Sequence, residues 1–141
     1  MVTDLDTLAQ NAAQGVLVII DGNNFLFMQS PLYGDYREPG FPGHDHQEKL
    51  IGHVLALLDR RPDLSVDLWF DNPTPGVEQR SARLRVIQSG GKGKNRADRG
   101  ILAFLKSRQE RGEEGPLVLL TEDRTLLKRS RLSLRSIDHK H

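Results

Sequence analysis

The stretch VLVIIDGNNFLF, residues 16–27, runs five apolar residues into an aspartate, a glycine and two asparagines. A continuous apolar run of this kind reads as a strand buried on both faces, which belongs in a mostly parallel sheet covered by helices. Such a strand has no use for a carboxylate and two amides at its tip unless they hold something. Open α/β sheets bind ligands outside the C-terminal ends of their strands. Asp21 therefore stands where a site is expected.

Two more segments repeat the pattern. VDLWFD, residues 66–71, ends in Asp71, and LVLLTED, residues 117–123, ends in Asp123. With Leu84–Gln88 they make four apolar runs, and Leu132–Ile137 is a weaker fifth. Two helices are expected between them. In residues 44–61, Asp45 is placed to cap a helix with Glu48 completing a capping box, and Leu50, Ile51, Val54, Leu57 and Leu58 form the apolar stripe. In residues 97–112, Ile101, Leu102 and Leu105 face inward and Gly112 ends the helix. A third, Arg124–Arg129, is short. Residues 1–14 read as a flexible or short helical extension of a single domain, 1–141.

In a parallel sheet the three strand-end acids share one edge, and they converge if their strands are neighbours. Asp98, opening the second helix, reaches the same edge from its first turn. Singly, each has an ordinary explanation: an aspartate after a strand caps a helix or closes a turn, and Asp98 favours the helix dipole. Together they repel unless a cation sits among them. Oxygen ligands without cysteine or histidine suit Mg²⁺ or Mn²⁺. Such a cation activates water and offsets charge that builds up on a phosphodiester.

The charge distribution fits that chemistry. The formal net charge is only +1, yet residues 1–79 carry 12 acids against 4 bases while residues 80–141 carry 16 bases against 7 acids. Arg80, Arg83, Arg85, Lys92, Lys94, Arg96 and Arg99 crowd into residues 80–99. This is a stripe suited to a polyanion, or else a solvated basic face. The 141 residues include no cysteine, which excludes disulfides and thiolate metal sites. No span approaches the roughly 20 apolar residues that cross a bilayer, and the acidic start lacks a signal-peptide pattern. A soluble, cytoplasmic protein with no membrane partner is expected.

DGNN after the first strand, an aspartate after WF, K-x-x-A-D opening a helix and T-E-D after a later strand together resemble the NYN branch of the PIN-like nucleases. The bacterial YacP-like NYN proteins are the nearest likeness, over roughly residues 16–137. The resemblance implies a three-layer α/β/α Rossmann-like PIN/NYN fold with about five strands, and a Mg²⁺- or Mn²⁺-dependent ribonuclease acting endonucleolytically on single-stranded RNA. Asp21, Asp98 and Asp123 match the acidic metal-site positions, and Asp71 matches a less regular one. Asn23 matches the asparagine that orients the first acid or contacts the scissile phosphate, with Asn24 and Thr121 in supporting places. Arg99 follows Asp98 where such families often carry further acids, which implies either a weakly held metal or a degenerate site. A ribosome or a larger RNase assembly is a conceivable partner, but no residue points to either.

Residues 24–46 hold Phe25, Phe27, Tyr33, Tyr36 and Phe41, five of the chain's eight aromatics. One reading is a loop at the cleft where Tyr33 and Tyr36 stack on bases while Lys92, Lys94, Arg96 and Arg80 hold phosphates. The other has the phenylalanines under the sheet and the tyrosines covering a long loop. SGGKGKN, residues 89–95, lacks the Walker spacing and hydroxyl, which excludes a P-loop NTPase. Gly90, Gly91 and Gly93 suggest instead a turn that carries lysines over the cleft. His44, Asp45 and His46 are better explained by capping than by metal. The rival functions are a non-catalytic RNA-binding module and a DNA nuclease of the 5′-flap type. A phosphoacceptor or phosphatase domain is disfavoured, since DGNN supplies neither an acid pair nor D-x-D.

Overall fold

The computed structural model describes residues 5–29, 32–35, 37–91, 96–112 and 117–120, with backbone only for Arg96 and Asp98. In chain order the elements are α1 (Leu5–Asn11), β1 (Leu17–Asp21), α2 (Gly22–Met28), α3 (His44–Arg60), β2 (Ser65–Phe70), β3 (Gly76–Ser81), β4 (Leu84–Gln88), α4 (Arg96–Glu110) and β5 (Leu117–Leu120). The sheet has five strands in the order β3-β4-β2-β1-β5. β1 pairs in parallel with β2 and β5, β2 pairs in parallel with β4, and only β3 runs antiparallel. The fold is thus α/β and Rossmann-like in outline, as the apolar runs suggest.

Strand alternation sorts the core onto the two faces. Val18, Ile20, Val66, Leu68 and Phe70 meet Leu8 of α1, Phe25 and Leu26 of α2, and the stripe of Leu50, Ile51, Val54, Leu57 and Leu58 on α3. Ile19, Trp69 and Ile87 point the other way, against Ala97, Ile101 and Leu105 of α4. α4 stops where expected: Gly112 takes a φ of +68°, a left-handed conformation natural to glycine after a helix end, and its N–H donates to the Gln109 carbonyl at 3.0 Å.

Two expectations are corrected. Asp45 does not cap α3; the N-cap is Gly43, whose N–H donates to Nδ1 of His46 at 2.9 Å. Glu48 completes no capping box, because both its oxygens receive the Arg80 guanidinium, at 3.0 and 3.1 Å. The stretch 24–46, read as a loop at the cleft, is not all loop: it begins inside the helix α2, Gly22–Met28. β3 went unforeseen because its sequence, GVEQRS, is polar and largely exposed, as an edge strand without a second covering layer is. The expected strand Leu132–Ile137 and helix Arg124–Arg129 lie outside the described residues. Among the described residues no helix is long and apolar enough to cross a membrane.

Candidate active site at the C-terminal edge of the sheet

β1 lies between β2 and β5, so the chain leaves β1 toward one neighbour and meets the other only much later. The C-terminal end of β1 is therefore the switch point at which α/β sheets form a crevice. Asp21 ends this strand in register with Trp69, and the side-chain period of two assigns it to the row that faces α4. It is only 4 % exposed. Its Oδ1 accepts the Asn24 N–H at 3.4 Å, which makes it the N-cap of α2.

Asp71 follows β2 on the same edge. Its N–H donates to Oδ1 of Asn23 at 3.2 Å, and its own Oδ1 accepts the N–H of Ala97 at 2.6 Å. The first bond ties the DGNN segment to the end of β2; the second ties that end to the first turn of α4. Asn23 thus bonds to the backbone of Asp71, whereas the resemblance pairs it with Asp21 or a phosphate. The position of Asp98, one residue beyond Ala97, comes to this edge with the backbone of α4.

Two glycines permit these approaches. A Cβ on Gly22 would lie 2.6 Å from the Trp69 carbonyl oxygen and 2.5 Å from the Phe70 ring. On Gly100 it would lie 2.5 Å from the Trp69 ring. Both contacts are far inside van der Waals distance, so α2 and α4 close on β2 only because neither residue has a side chain. The glycine of DGNN is conspicuous in the sequence although its role is not, and Gly100 is less conspicuous still. The signal was a glycine inside an otherwise helical run, which points to a close neighbour.

The remaining expected site residues are scattered. Tyr33 is 4 % exposed, packs edge-on to Phe25 and sets its hydroxyl 2.7 Å from Nδ1 of His53. Burial pushes its phenol up to about 12. A ring held there offers no face to a base. Phe25 is buried, while Phe27 is 45 % exposed and packs edge-on against Phe41. Arg80 is engaged by Glu48 and by Glu78, the latter at 3.1 Å, so its charge is compensated. Lys92, Lys94, Tyr36, Thr121 and Asp123 lie outside the described residues, as do the side chains of Arg96 and Asp98.

The edge therefore joins Asp21, Asn23 and Asp71 with the start of α4. Both acids are oxygen donors, and no cysteine exists to compete, so the donor chemistry fits a hard divalent cation. Among the described residues no three metal-ligating side chains come together. No family model, curated protein or solved structure matches the chain.

Proposed function

We propose that the chain is a metal-dependent ribonuclease of the PIN/NYN type, cutting single-stranded RNA at the C-terminal edge of its sheet. The observation that carries this reading is the bond from Ala97 to Asp71, which binds the start of α4 to the edge where Asp21 ends β1. Asp21, Asp98 and Asp123 would hold Mg²⁺ or Mn²⁺, with Asp71 beside them. The cation would supply an activated water and offset charge on the phosphorus oxygens. In this reading Asp71 and Asn23 position the edge, while Lys92, Lys94 and Arg96 would lie along the RNA backbone. Arg80 and Tyr33 take no part.

A second reading has a specific basis. Asp21 caps α2 and Asp71 caps α4, so both acids also serve the fold, as they would in an RNA-binding module that performs no chemistry. One experiment separates the two. Labelled single-stranded RNA is incubated with Mg²⁺ or Mn²⁺ and with EDTA, for the parent chain and for Asp21→Asn and Asp98→Asn. Metal-dependent products that vanish in both variants support the nuclease. Salt-sensitive binding without products supports the module. A parallel DNA oligonucleotide tests the 5′-flap alternative.

A further inference from the structure

The sheet's opposite edge carries a second concentration of charge. A groove of about 540 Å³ opens where β1 and β2 begin, walled by Arg83, Arg85, Arg108, Arg111, Phe104 and Asp67 among others. Asp67 is the acid of this set, and its charge is already met: at 3 % exposure it receives Arg85 at 2.9 and 2.6 Å. Arg85 in turn lies 5.9 Å above the centre of the Phe104 ring. Arg83 and Arg108 add positive charge to the groove. Neither Arg83 nor Arg108 has an acidic partner among the described residues. Arg108 and Arg111 stand near the C-terminal end of α4, where a helix dipole favours cations. That does not account for Arg83, which comes from the β3–β4 turn and converges on them from another element.

We propose that this groove binds the phosphates of single-stranded RNA, as an anchor on the side of the domain away from Asp21. The proposal rests on the ribonucleolytic reading only for its choice of RNA; the groove's charge and shape are independent of it. Guanidinium groups pair with phosphate oxygens in a two-pronged geometry. Phe104, half-buried in the wall, adds an apolar surface of the kind on which bases rest. α4 connects the two sites, since it starts at Asp71 and ends in the groove. Its 15 residues span roughly 22 Å. At a stacked spacing of about 3.4 Å per nucleotide, a strand following the helix needs on the order of six or seven nucleotides to occupy both ends.

The test uses the full chain in EDTA, so that binding is read without cleavage. A labelled 16-nucleotide oligouridylate is titrated by fluorescence anisotropy across a range of salt. Arg83→Gln/Arg108→Gln is expected to weaken binding at least about tenfold, and to flatten the plot of log affinity against log salt by about 1.4, at roughly 0.7 per phosphate contact on a single strand. Arg83→Lys/Arg108→Lys is expected to recover most of the salt slope, which a merely structural role would not do. Arg83→Glu, a single change in an exposed turn, provides a second reading if the double variant folds poorly. An unchanged slope in the charge-removing variants, or no salt-sensitive RNA binding by the parent chain, overturns the anchor. The two proposals fail separately. Binding that depends on the groove, without metal-dependent products, leaves the anchor standing and removes the nuclease. Cleavage whose KM is indifferent to Arg83 and Arg108 does the reverse.

Discussion

The carboxylate of Asp71 receives the backbone N–H of Ala97 at 2.6 Å, across 26 residues of sequence. An acid that follows one strand thereby caps a helix on which the proposed metal ligand Asp98 sits. Replacing it with alanine leaves that N–H without its partner and is expected to cost about 1–2 kcal/mol, as loss of a helix cap does. Asp71→Asn keeps an oxygen in place and should retain most of that stability. Urea denaturation of the two variants measures the difference; equal losses would show that the bond contributes nothing specific.

Gly100 sets two effects against each other. Alanine inside a helix is favoured over glycine by about 1 kcal/mol. Here its methyl would fall 2.5 Å from the Trp69 ring, and overpacking of a filled core costs typically 1–3 kcal/mol. The clash should win, making Gly100→Ala destabilising. In a Trp69→Leu background, with the ring gone, the same change should turn neutral or stabilising. A double-mutant cycle by thermal unfolding reads this coupling directly. At Gly22 no such rescue is expected, since the obstruction includes the Trp69 carbonyl oxygen, which belongs to the backbone.

Arg61 holds the N-terminal helix in place. It donates to the carbonyls of Ala9 at 2.8 Å and Ala12 at 3.0 Å, groups at and just past the end of α1. It also pairs with Asp63, which accepts the Gly15 N–H at 3.0 Å. The Arg61 hydrogen bonds, followed by that of Gly15, hold the Asp63 carboxyl well below the usual range. A carboxylate with a depressed folded-state pKa contributes stability that is present above its unfolded value, near 4, and lost as pH falls below it. Protease cleavage within residues 5–15 should therefore accelerate on acidification below about pH 4. Arg61→Met should be cut faster at neutral pH and show little further acceleration in acid.

Tyr33 behaves in the opposite sense. Its phenol is raised to about 12 by burial, so the neutral form favours the folded state. Stability is intact below the unfolded value near 10, and falls as pH rises from there through about 12. Tyr33→Phe should abolish this alkaline loss. It should also cost about 1 kcal/mol at neutral pH, because His53 Nδ1 loses its partner. Denaturation at pH 8 and pH 11 compares the two proteins.

The elements legible from sequence are those whose pattern is local. Uninterrupted apolar runs identify β1, β2, β4 and β5 to within a residue or so, and the 3.6-residue stripe identifies α3 and α4. What was illegible depends on distant partners. The cap on α3 fell to Gly43 and His46, while Glu48 pairs with Arg80, 32 residues away. α2 looks like loop because its first residues, glycine and two asparagines, are poor helix formers; the Asp21 cap and the burial of Phe25 and Leu26 override them. β3 carries no apolar run because it is an exposed edge strand, held by backbone pairing with β4 and by the Arg80–Glu48 ion pair rather than by a buried face. At the candidate site, an acid after each strand was readable, but not that Asp71 would cap α4 or that Asn23 would bond to Asp71.

Asp21 combines both kinds of role, and two substitutions separate them. Its Oδ1 accepts the Asn24 N–H, and an asparagine oxygen serves that bond equally well, since both residue types are good helix caps. Asp21→Asn should therefore unfold within about 0.5 kcal/mol of the parent, whereas Asp21→Ala should lose about 1 kcal/mol with the cap. If the ribonuclease proposal holds, metal-dependent cleavage should fall at least about a hundredfold in both, because neither retains the carboxylate charge that a divalent cation needs. Stability and turnover are thus expected to dissociate in Asp21→Asn alone. Cleavage that tracked stability across the pair, intact in the asparagine variant and weakened only in the alanine one, would reduce Asp21 to a helix cap and remove it from the chemistry.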